Sequence, residues 1–290
     1  MSVTSAMFTG VSGLLANAEG INVIGNNLAN VNTVGFKSGR MLFSDMLSTN
    51  IGNSSQIGRG TQIQKVDNIF GQGSFETTEL VSDLALQGNS FFALGKPGGD
   101  TAINQNEAFL TRAGAFRVDD SFHLVNPDGY QVLDDAGAPI QFLAPSDPPI
   151  AGDFAKITKI DSTGMISYID ALGSLYYYNT AGAIGVTDPT TVTNKIAVIN
   201  PPNPGGLDKI GGTLFQPGAA SGVPAAAFAS GTNTANGTSE KIYSNSLEQS
   251  NVDMAGQFVK MILTQRAYSA NSKTITTADE MTQEVLNLKR

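Results

Sequence analysis

The sequence predicts an α+β protein in which paired long N- and C-terminal α-helices form a coiled-coil-like arm, and a mostly antiparallel β domain fills the chain between them. Three observations predict this class: apolar residues recur at heptad spacing near both ends, apolar and polar residues alternate in the middle, and turn-forming residues separate the alternating segments. We expect residues 1–40 and 247–290 to form the arm. Residues 41–246 would form the β-rich outer domain, with no clear further inserted domain.

The first helix is predicted from apolar residues between Met7 and Leu28, which recur at steps of three and four. Gly25 fills the one missing step of this heptad seam. Before Phe36 the only charged residue is Glu19, and the outward positions are Ser, Thr, Gly, Ala and six Asn. An ordinary coiled coil carries Glu and Lys on its solvent-exposed faces. This helix lacks such charged residues.

The second helix is predicted from a repeat of seven residues near the other end of the chain. Its seam consists of Met254, Met261, Tyr268 and Ile275, with Phe258 between them, and the apolar stripe continues to Leu288. Chain termini often lie close together, so the two helices can pair, either parallel or antiparallel.

Four glycines in the first helix weaken it. Gly10, Gly13, Gly20 and Gly25 each lower helix stability by about 1 kcal/mol relative to Ala. We therefore expect the helices to be loosely ordered in the monomer and to become ordered against copies of themselves. Small, uncharged outer faces suit close helix neighbours on several sides.

The middle of the chain changes to alternation with a period of two. Turn residues at 119–121, 126–129, 135–137 and 162–164 separate the apolar segments. Residues 216–239 carry no charge and are predicted to form a loop that leads to the second helix. The candidate strands are Ser90–Leu94, Phe109–Arg112, Ala115–Val118, Phe122–Val125, Tyr130–Leu133, Ile157–Ile160, Met165–Ile169, Ser174–Tyr178 and Lys195–Ile199.

Composition excludes several functions. Only 14% of the 290 residues are charged and the net charge is −8, so nucleic acid is a poor partner. The absence of Cys and the single His remove disulfides, thiolate chemistry and multi-His metal sites. The first residues lack a signal-peptide pattern and no segment has the ~20 apolar residues of a spanning helix. We expect no membrane insertion, no cofactor and no metal.

Carboxylates are the remaining candidates for catalysis. Asp119 with Asp120, and Asp134 with Asp135, are the closest acidic pairs, but both lie at predicted turns, where Asp commonly caps the backbone. Catalytic carboxylates usually face each other across a cleft. His123 is expected to be a surface or half-buried strand residue. These patterns favour a chain that is not an enzyme.

Segments from end to end of the chain resemble bacterial flagellar rod and hook proteins. The first group has the N-terminal signature, Gly-Val-Ser-Gly-Leu at 10–14 and Ile-Gly-Asn-Asn-Leu-Ala-Asn-Val-Asn-Thr-Val-Gly-Phe-Lys at 24–37. The others are Asp-Leu-Ala-Leu-Gln-Gly at 83–88, Thr-Arg-Ala-Gly-Ala-Phe at 111–116, and the C-terminal segments at 250–253, 265–268 and 276–281.

The resemblance implies a structural subunit of the hook-basal body that is exported by the flagellar type III apparatus without a cleaved signal peptide. It would polymerise with itself into a helical tube outside the cytoplasm, and contact other axial proteins of the rod and hook junction and the cap. Residues 41–47 and 286–290 look more like hook proteins, so we expect the hook, with the distal rod as the alternative. The chain length and the absence of an inserted outer domain favour that alternative.

Contacts between subunits are expected on the helices and the segment that follows the first. The candidates are Met7, Val11, Leu14, Ile21, Asn26, Asn27, Leu28, Asn30, Asn32, Phe36, Met254, Phe258, Met261, Gln265, Arg266, Tyr268, Asn271, Ile275 and Met281. The spacing of Phe43 and Leu47 resembles an export-gate motif, and packing is an equally good explanation. A carboxylate-dependent cell-wall hydrolase and a secreted β-rich adhesin remain alternatives.

Overall fold

The computed structural model describes residues 3–52, 55–97, 108–146, 150–180, 182–224, 235, 237–238 and 240–288. The chain forms two compact units. The helical unit consists of Met1–Val31, Ser38–Ile69 and Val252–Arg290, and the β unit consists of Asn32–Lys37 and Phe70–Asn251. Terminal helices that pack on each other and antiparallel sheets confirm the predicted α+β class.

The helical unit contains two long helices and two short β-ribbons. Its elements are α1 (Val3–Ala29), β1 (Gly39–Asp45), β2 (Thr49–Gly52), β3 (Ser55–Ile57), β4 (Thr61–Asn68) and α2 (Met254–Leu288). Strand β1 pairs antiparallel with β4, and β2 with β3. The second helix and the β1–β4 ribbon both contact α1, so they form one packed layer around that helix.

The β unit holds the remaining strands, all of them antiparallel in their pairing. They are β5 (Phe75–Thr77), β6 (Leu84–Gln87), β7 (Phe91–Gly95), β8 (Ala108–Thr111), β9 (Arg117–Val118), β10 (Leu124–Val125), β11 (Gln131–Val132), β12 (Phe154–Ile160), β13 (Ile166–Asp170), β14 (Leu175–Tyr177), β15 (Val198–Ile199), β16 (Leu207–Gly211), β17 (Leu214–Pro217), β18 (Lys241–Ser244) and β19 (Ser246–Glu248).

One sheet organises the β unit. Its strands follow the order β16-β17-β8-β7-β11-β10-β9, and β15 also pairs with β7. Strands β12, β13 and β14 form a second sheet, while β18 pairs with β6 and β19 with β5. Apolar side chains from both larger sheets meet in one hydrophobic core that includes Phe92, Phe116 and Tyr168. Aromatic rings also pack edge to face in this core; the ring centroids of Phe92 and Phe116, for example, are 5.1 Å apart.

The predicted turns are present where glycine allows a positive φ. Gly129, Gly137 and Gly164 have φ values of +86°, +84° and +85° and end the turns at 126–129, 135–137 and 162–164. These values lie in the left-handed region, which glycine enters without a steric penalty. The fourth turn differs, because Phe122 itself takes a φ of +62° and the strand begins only at Leu124.

Several short strands were not predicted. The ribbon of β1 and β4 is half-exposed along its length. In β16, β18 and β19 apolar and polar residues do not alternate regularly. No buried apolar face therefore marks any of these strands in the sequence. Ser38–Ile69 lies in the helical unit rather than with the other strands, in contrast to the expected boundary at residue 41. In the predicted loop at 216–239, β17 runs to Pro217 and a 3-10 turn spans Ala219–Ser221; residues 225–234, 236 and 239 lie outside the described residues.

Candidate functional site

Small residues form the face through which α1 contacts α2. The buried positions of α1 recur at steps of three and four and are Gly10, Gly13, Ala16, Gly20, Ile24 and Asn27. A Cβ built at Gly10 would lie 2.9 Å from Ile275 Cγ1, and one at Gly13 would lie 2.8 Å from Asn271 Nδ2. Both distances are too short for a real Cβ, so glycine permits this close approach. The paired positions also show that the helices are antiparallel.

The apolar heptad seam of α1 is displaced from this contact face. Val11 is 41% exposed, and Met7, Leu14, Ile21 and Leu28 are only half-buried. The expectation that small residues would face outward was wrong for Gly10, Gly13, Ala16 and Gly20, which lie on the buried face of α1. The larger apolar side chains are thereby left at the sides of the helix pair.

Asn27 fixes the position of α1 within the helical unit. Its side-chain amide donates to the Gly39 carbonyl at 2.7 Å, while its Oδ1 accepts from the Gly39 N–H at 2.8 Å. The same amide group lies 3.5 Å from Oε1 of Gln257 on α2. Asn27 is 1% exposed, so its polar atoms are satisfied inside the chain. Gln257, the partner on α2, was not among the predicted site residues.

Helix α2 leaves most of its apolar side chains uncovered. Its buried residues are Gln257 and Ala278, and the side chains with more than a third of their surface exposed include Met254, Phe258, Val259, Ile262, Leu263, Tyr268, Met281, Val285, Leu286 and Leu288. Soluble proteins rarely leave large apolar patches in contact with water. The two exposed apolar segments, at 254–268 and 281–288, are therefore candidate interaction surfaces.

The predicted contact residues fall into three groups by exposure. Val11, Asn26, Asn32, Met254, Phe258, Gln265, Arg266, Tyr268 and Met281 are exposed, and Met7, Leu14, Ile21, Leu28, Asn30, Met261, Asn271 and Ile275 are half-buried. Asn27 and Phe36 are buried within the chain. The side chain of Phe36 packs in the β unit, where Lys209 Nζ lies 4.1 Å from its ring centroid.

A buried charge cluster in the β unit joins segments that are distant in sequence. Glu248 accepts from Lys37 Nζ at 2.7 Å and from Arg112 Nη1 at 3.2 Å, and all three side chains are at most 1% exposed. Lys37 also donates to the Gly71 carbonyl, and Arg112 to the Gly88 carbonyl at 2.6 Å. Burial lowers the pKa of Lys37 and of Arg112, and the carboxylate of Glu248 opposes that shift in both.

This cluster joins the segment that follows α1 to the segment that precedes α2. Lys37 follows the end of α1 by eight positions, and Glu248 precedes the start of α2 by six. Gly35 donates its N–H to the Glu248 carbonyl, and a Cβ at Gly35 would overlap the backbone of Ala113. The segments that enter and leave the helices are therefore held side by side within the β unit.

One aspartate of each acidic pair caps a turn, as the sequence predicts, whereas Asp135 accepts from the N–H of the distant Lys195. Asp119 Oδ1 accepts from the N–H groups of Ser121 and His123, and Asp134 Oδ1 accepts from those of Ala136 and Ala138. His123 is half-buried, with 16% of its side chain exposed. Within the described ranges, no three His, Asp or Glu side chains are grouped so as to share a metal ion. None of the described helices combines the length and apolar character required to cross a bilayer.

Comparisons with known proteins identify relatives along the whole chain. Three family models match: one described as flagella basal body rod protein at residues 7–37, one as the flagellar hook protein FlgE/F/G D1 domain at 85–168, and one as the flagellar basal body rod FlgEFG protein C-terminal region at 243–288.

Full-length relatives are basal-body rod proteins. The flagellar basal-body rod protein FlgG of Bacillus subtilis is 36% identical over 98% of this chain and 99% of its own length, and that of Borreliella burgdorferi is 32% identical over 98% of both. The flagellar hook protein FlgE of Borreliella burgdorferi is 43% identical, but over 42% of this chain and 28% of its own length. The similarity to the hook protein is thus partial.

Proposed function

Since the chain belongs to the family of flagellar hook and basal-body rod proteins, we propose that it is a subunit of the distal rod and polymerises into a helical tube that transmits torque. Family membership makes it a structural, non-enzymatic component of the flagellar axis at the basal body, which assembles with other axial proteins. The rod assignment replaces the expected hook assignment as the preferred interpretation. The observation that carries it is 36% identity from end to end with a basal-body rod protein.

The geometry of the helical unit supports a polymer. A single chain exposes apolar residues in the first half and in the last turns of α2, including Phe258 at 46%, Leu263 at 61% and Val285 at 62%. Burial of apolar surface contributes about 25 cal/mol per Å² to the free energy of association. Packing of these helices against neighbouring copies would therefore be favourable. Contacts that are repeated by a rotation that does not close produce an open helical filament.

The β unit supports the mechanical part of the proposal. Its core is closed, and its two connections to the helices are held by the charge cluster of Lys37, Arg112 and Glu248. Because the chain connects this unit to both helices, load on its own contacts can pass into them. The predicted export through the type III apparatus and the contacts with the cap belong to the same proposal.

Electron microscopy of cells that lack the protein tests the assignment. We expect a truncated rod with no hook attached. A complete rod without a hook would instead support the hook assignment, and an intact flagellum would contradict both. The hydrolase alternative is tested separately by replacing Asp119, Asp120, Asp134 and Asp135 with Asn: if a wall-degrading activity is found in the wild type and lost while assembly is kept, the chain is an enzyme.

A further inference from the structure

An apolar groove lies beside the first half of α1 in the helical unit. Phe8, Val11 and Leu15 line one side, Met46 and Leu47 line the other, and Arg59 lies at the rim, around a volume of about 650 Å³. Phe8 is 74% exposed, Leu15 60% and Leu47 91%. Apolar side chains of this size are left open to water on both walls, so the groove lacks an occupant within the part of the chain that the structure describes.

The C-terminal end of α2 carries a stripe that fits such a groove. Met281, Val285 and Leu288 are spaced i, i+4 and i+7, which places them on one side of the helix. They are 57%, 62% and 86% exposed. Helices that dock in apolar grooves use anchors with this spacing.

This end of α2 extends beyond the level of Val3, the first residue of α1 that the structure describes. Three pairs set the level of the two helices: Gly10 with Ile275, Gly13 with Asn271 and Gly20 with Thr264. The residue numbers of the last two pairs each add to 284, and those of the first add to 285. By the same relation Val3, the first described residue of α1, lies level with Met281. Residues 282–288 therefore extend about 10 Å beyond it. We call these residues the overhang.

The overhang cannot fill the groove of its own chain. Both elements lie at the same end of the helix pair, and the continuous helix carries Val285 and Leu288 away from Phe8 and Leu15. An occupant with this stripe must therefore come from another copy of the chain.

The charged residues of the groove and of the overhang are complementary. Arg59 is the charged residue that lines the groove, and Glu284 is the charged residue of the overhang, beside Val285. Both are exposed. Neither forms an ion pair within the described residues. A copy whose stripe enters the groove can bring these opposite charges together at the rim.

We propose that the C-terminal end of α2 in one subunit, through Met281 and the overhang residues Val285 and Leu288, docks in the groove formed by Phe8, Val11, Leu15, Met46 and Leu47 of the next subunit. Groove and overhang are different surfaces, so the contact is head-to-tail and leaves a free groove at one end of the series. If neighbouring helix pairs run parallel, a shift of about 18 Å along the axis brings Val285 level with Val11 of the next copy. The inference rests on the proposed function, since it needs a polymer.

Cysteine cross-linking tests the contact, because the natural chain has no Cys. The chain carrying Leu47→Cys and Leu288→Cys replaces the wild type in cells, and basal bodies are isolated and oxidised. We expect disulfide-linked dimers and higher multimers on a non-reducing gel. The matched control carries Leu47→Cys and Gln283→Cys, since Gln283 is on the opposite face of the overhang. The control should give at least about fivefold fewer cross-links.

The outcomes separate this inference from the proposed function. If rods form and the Leu288 variant cross-links no better than the Gln283 control, the docking contact is wrong while the rod assignment stands. If cells without the protein build complete rods, the rod assignment fails and the contact fails with it.

A charge exchange covers the case in which the cysteine variants do not assemble. Arg59→Glu should reduce the number of rods about fivefold, the effect of an exposed ion pair, and adding Glu284→Arg should restore it. Failure of Glu284→Arg to restore rods would overturn the contact.

Discussion

The two units of this protein differ in how much of their apolar surface is buried. In the β unit Leu84, Phe92 and Leu110 are fully buried, and the core is closed by the sheets of the same chain. In the helical unit Leu263 and Leu286 are 61% and 63% exposed although they lie in a regular helix. The β unit can therefore be stable by itself, whereas the helical unit leaves apolar surface exposed that neighbours would cover in the proposed polymer.

The units also differ in the kind of polar side chain that they bury. The β unit buries the charged side chains of Lys37, Arg112 and Glu248. The helical unit buries the neutral amides of Asn27 and Gln257. Burying charges is costly unless each is paired, and neutral amides need only hydrogen bonds. A permanent unit tolerates the first arrangement. If the helix pair becomes ordered on assembly, as we expect, the second arrangement costs less to form.

Hydrogen exchange of the monomer would show this contrast most directly. We expect amides in β7 and β8 to exchange at least roughly a thousandfold more slowly than those of α1 and α2, because core strands open with the free energy of global unfolding and unsupported helices open locally. Strong protection of both helices in a sample shown by sedimentation to be monomeric would contradict ordering on assembly. Protection that rises in the polymer would support it.

Removing the charge of Glu248 should have the largest effect of a single substitution. Glu248→Gln keeps the shape but leaves Lys37 and Arg112 as buried cations without a counter-charge, so we expect the free energy of unfolding of the β unit to fall by about 3–5 kcal/mol. Urea unfolding followed by near-UV circular dichroism of the buried tyrosines measures it.

Glu79→Gln provides the matched control for that substitution, since Glu79 is exposed in the same unit. It should change the free energy of unfolding by less than about 0.5 kcal/mol. If both variants unfold alike, the cluster contributes no net stability and the contrast between buried charge and buried amide is not energetic.

The sequence predicts the elements of the helical unit better than their packing. Helix α2 spans Met254–Leu288, the range of the predicted apolar stripe, because the seven-residue repeat marks every second turn. The arm was expected from residue 247, but Ser246–Glu248 forms β19. The contact face of α1 was missed, since Gly10, Gly13 and Gly20 have no apolar side chain to register in a periodicity. Their own spacing of three and seven positions is the signal that would have revealed it.

The charge cluster could not be predicted from the sequence. Glu248 is 211 residues from Lys37 and 136 from Arg112, and no local pattern relates them. Their contact depends on the pairing of β19 with β5 and on the close approach of Gly35 to the chain at Ala113. Turn positions such as Asp119 were predicted because their hydrogen bonds are local.

Glycine substitutions in α1 test whether close packing or helix propensity governs the helical unit. A Cβ added at Gly25 would meet no atom within 4 Å, so Gly25→Ala should stabilise α1 by about 1 kcal/mol. Gly10→Ala would meet Ile275 at 2.9 Å and should lose that gain. Exchange rates of α1 amides in the assembled protein measure both, and an equal gain for the two variants would show that α2 does not approach α1 so closely.

The smallest expected effect concerns a buried charge whose environment opposes its ionisation. Burial raises the pKa of Asp135, and the neighbouring Asp134 raises it further, while the N–H of Lys195 donates to Asp135 Oδ1 and opposes the shift. Between the unfolded pKa of 3.8 and the higher folded pKa, the native state binds more protons than the unfolded state. Stability therefore falls as pH rises through that window.

Asp135→Asn should consequently raise the free energy of unfolding at pH 7 by a few tenths of a kcal/mol, since the amide oxygen can still accept from Lys195. This gain should disappear below the window, where Asp135 is protonated in both states. Asp134→Asn is the contrasting variant: Asp134 also accepts from Tyr178 and Asn194, so an amide N–H₂ there would face donors and destabilise. If Asp135→Asn lowers the free energy of unfolding at pH 7, the charge of Asp135 stabilises the β unit. The energetic cost of buried charge would then not be a difference between the two units.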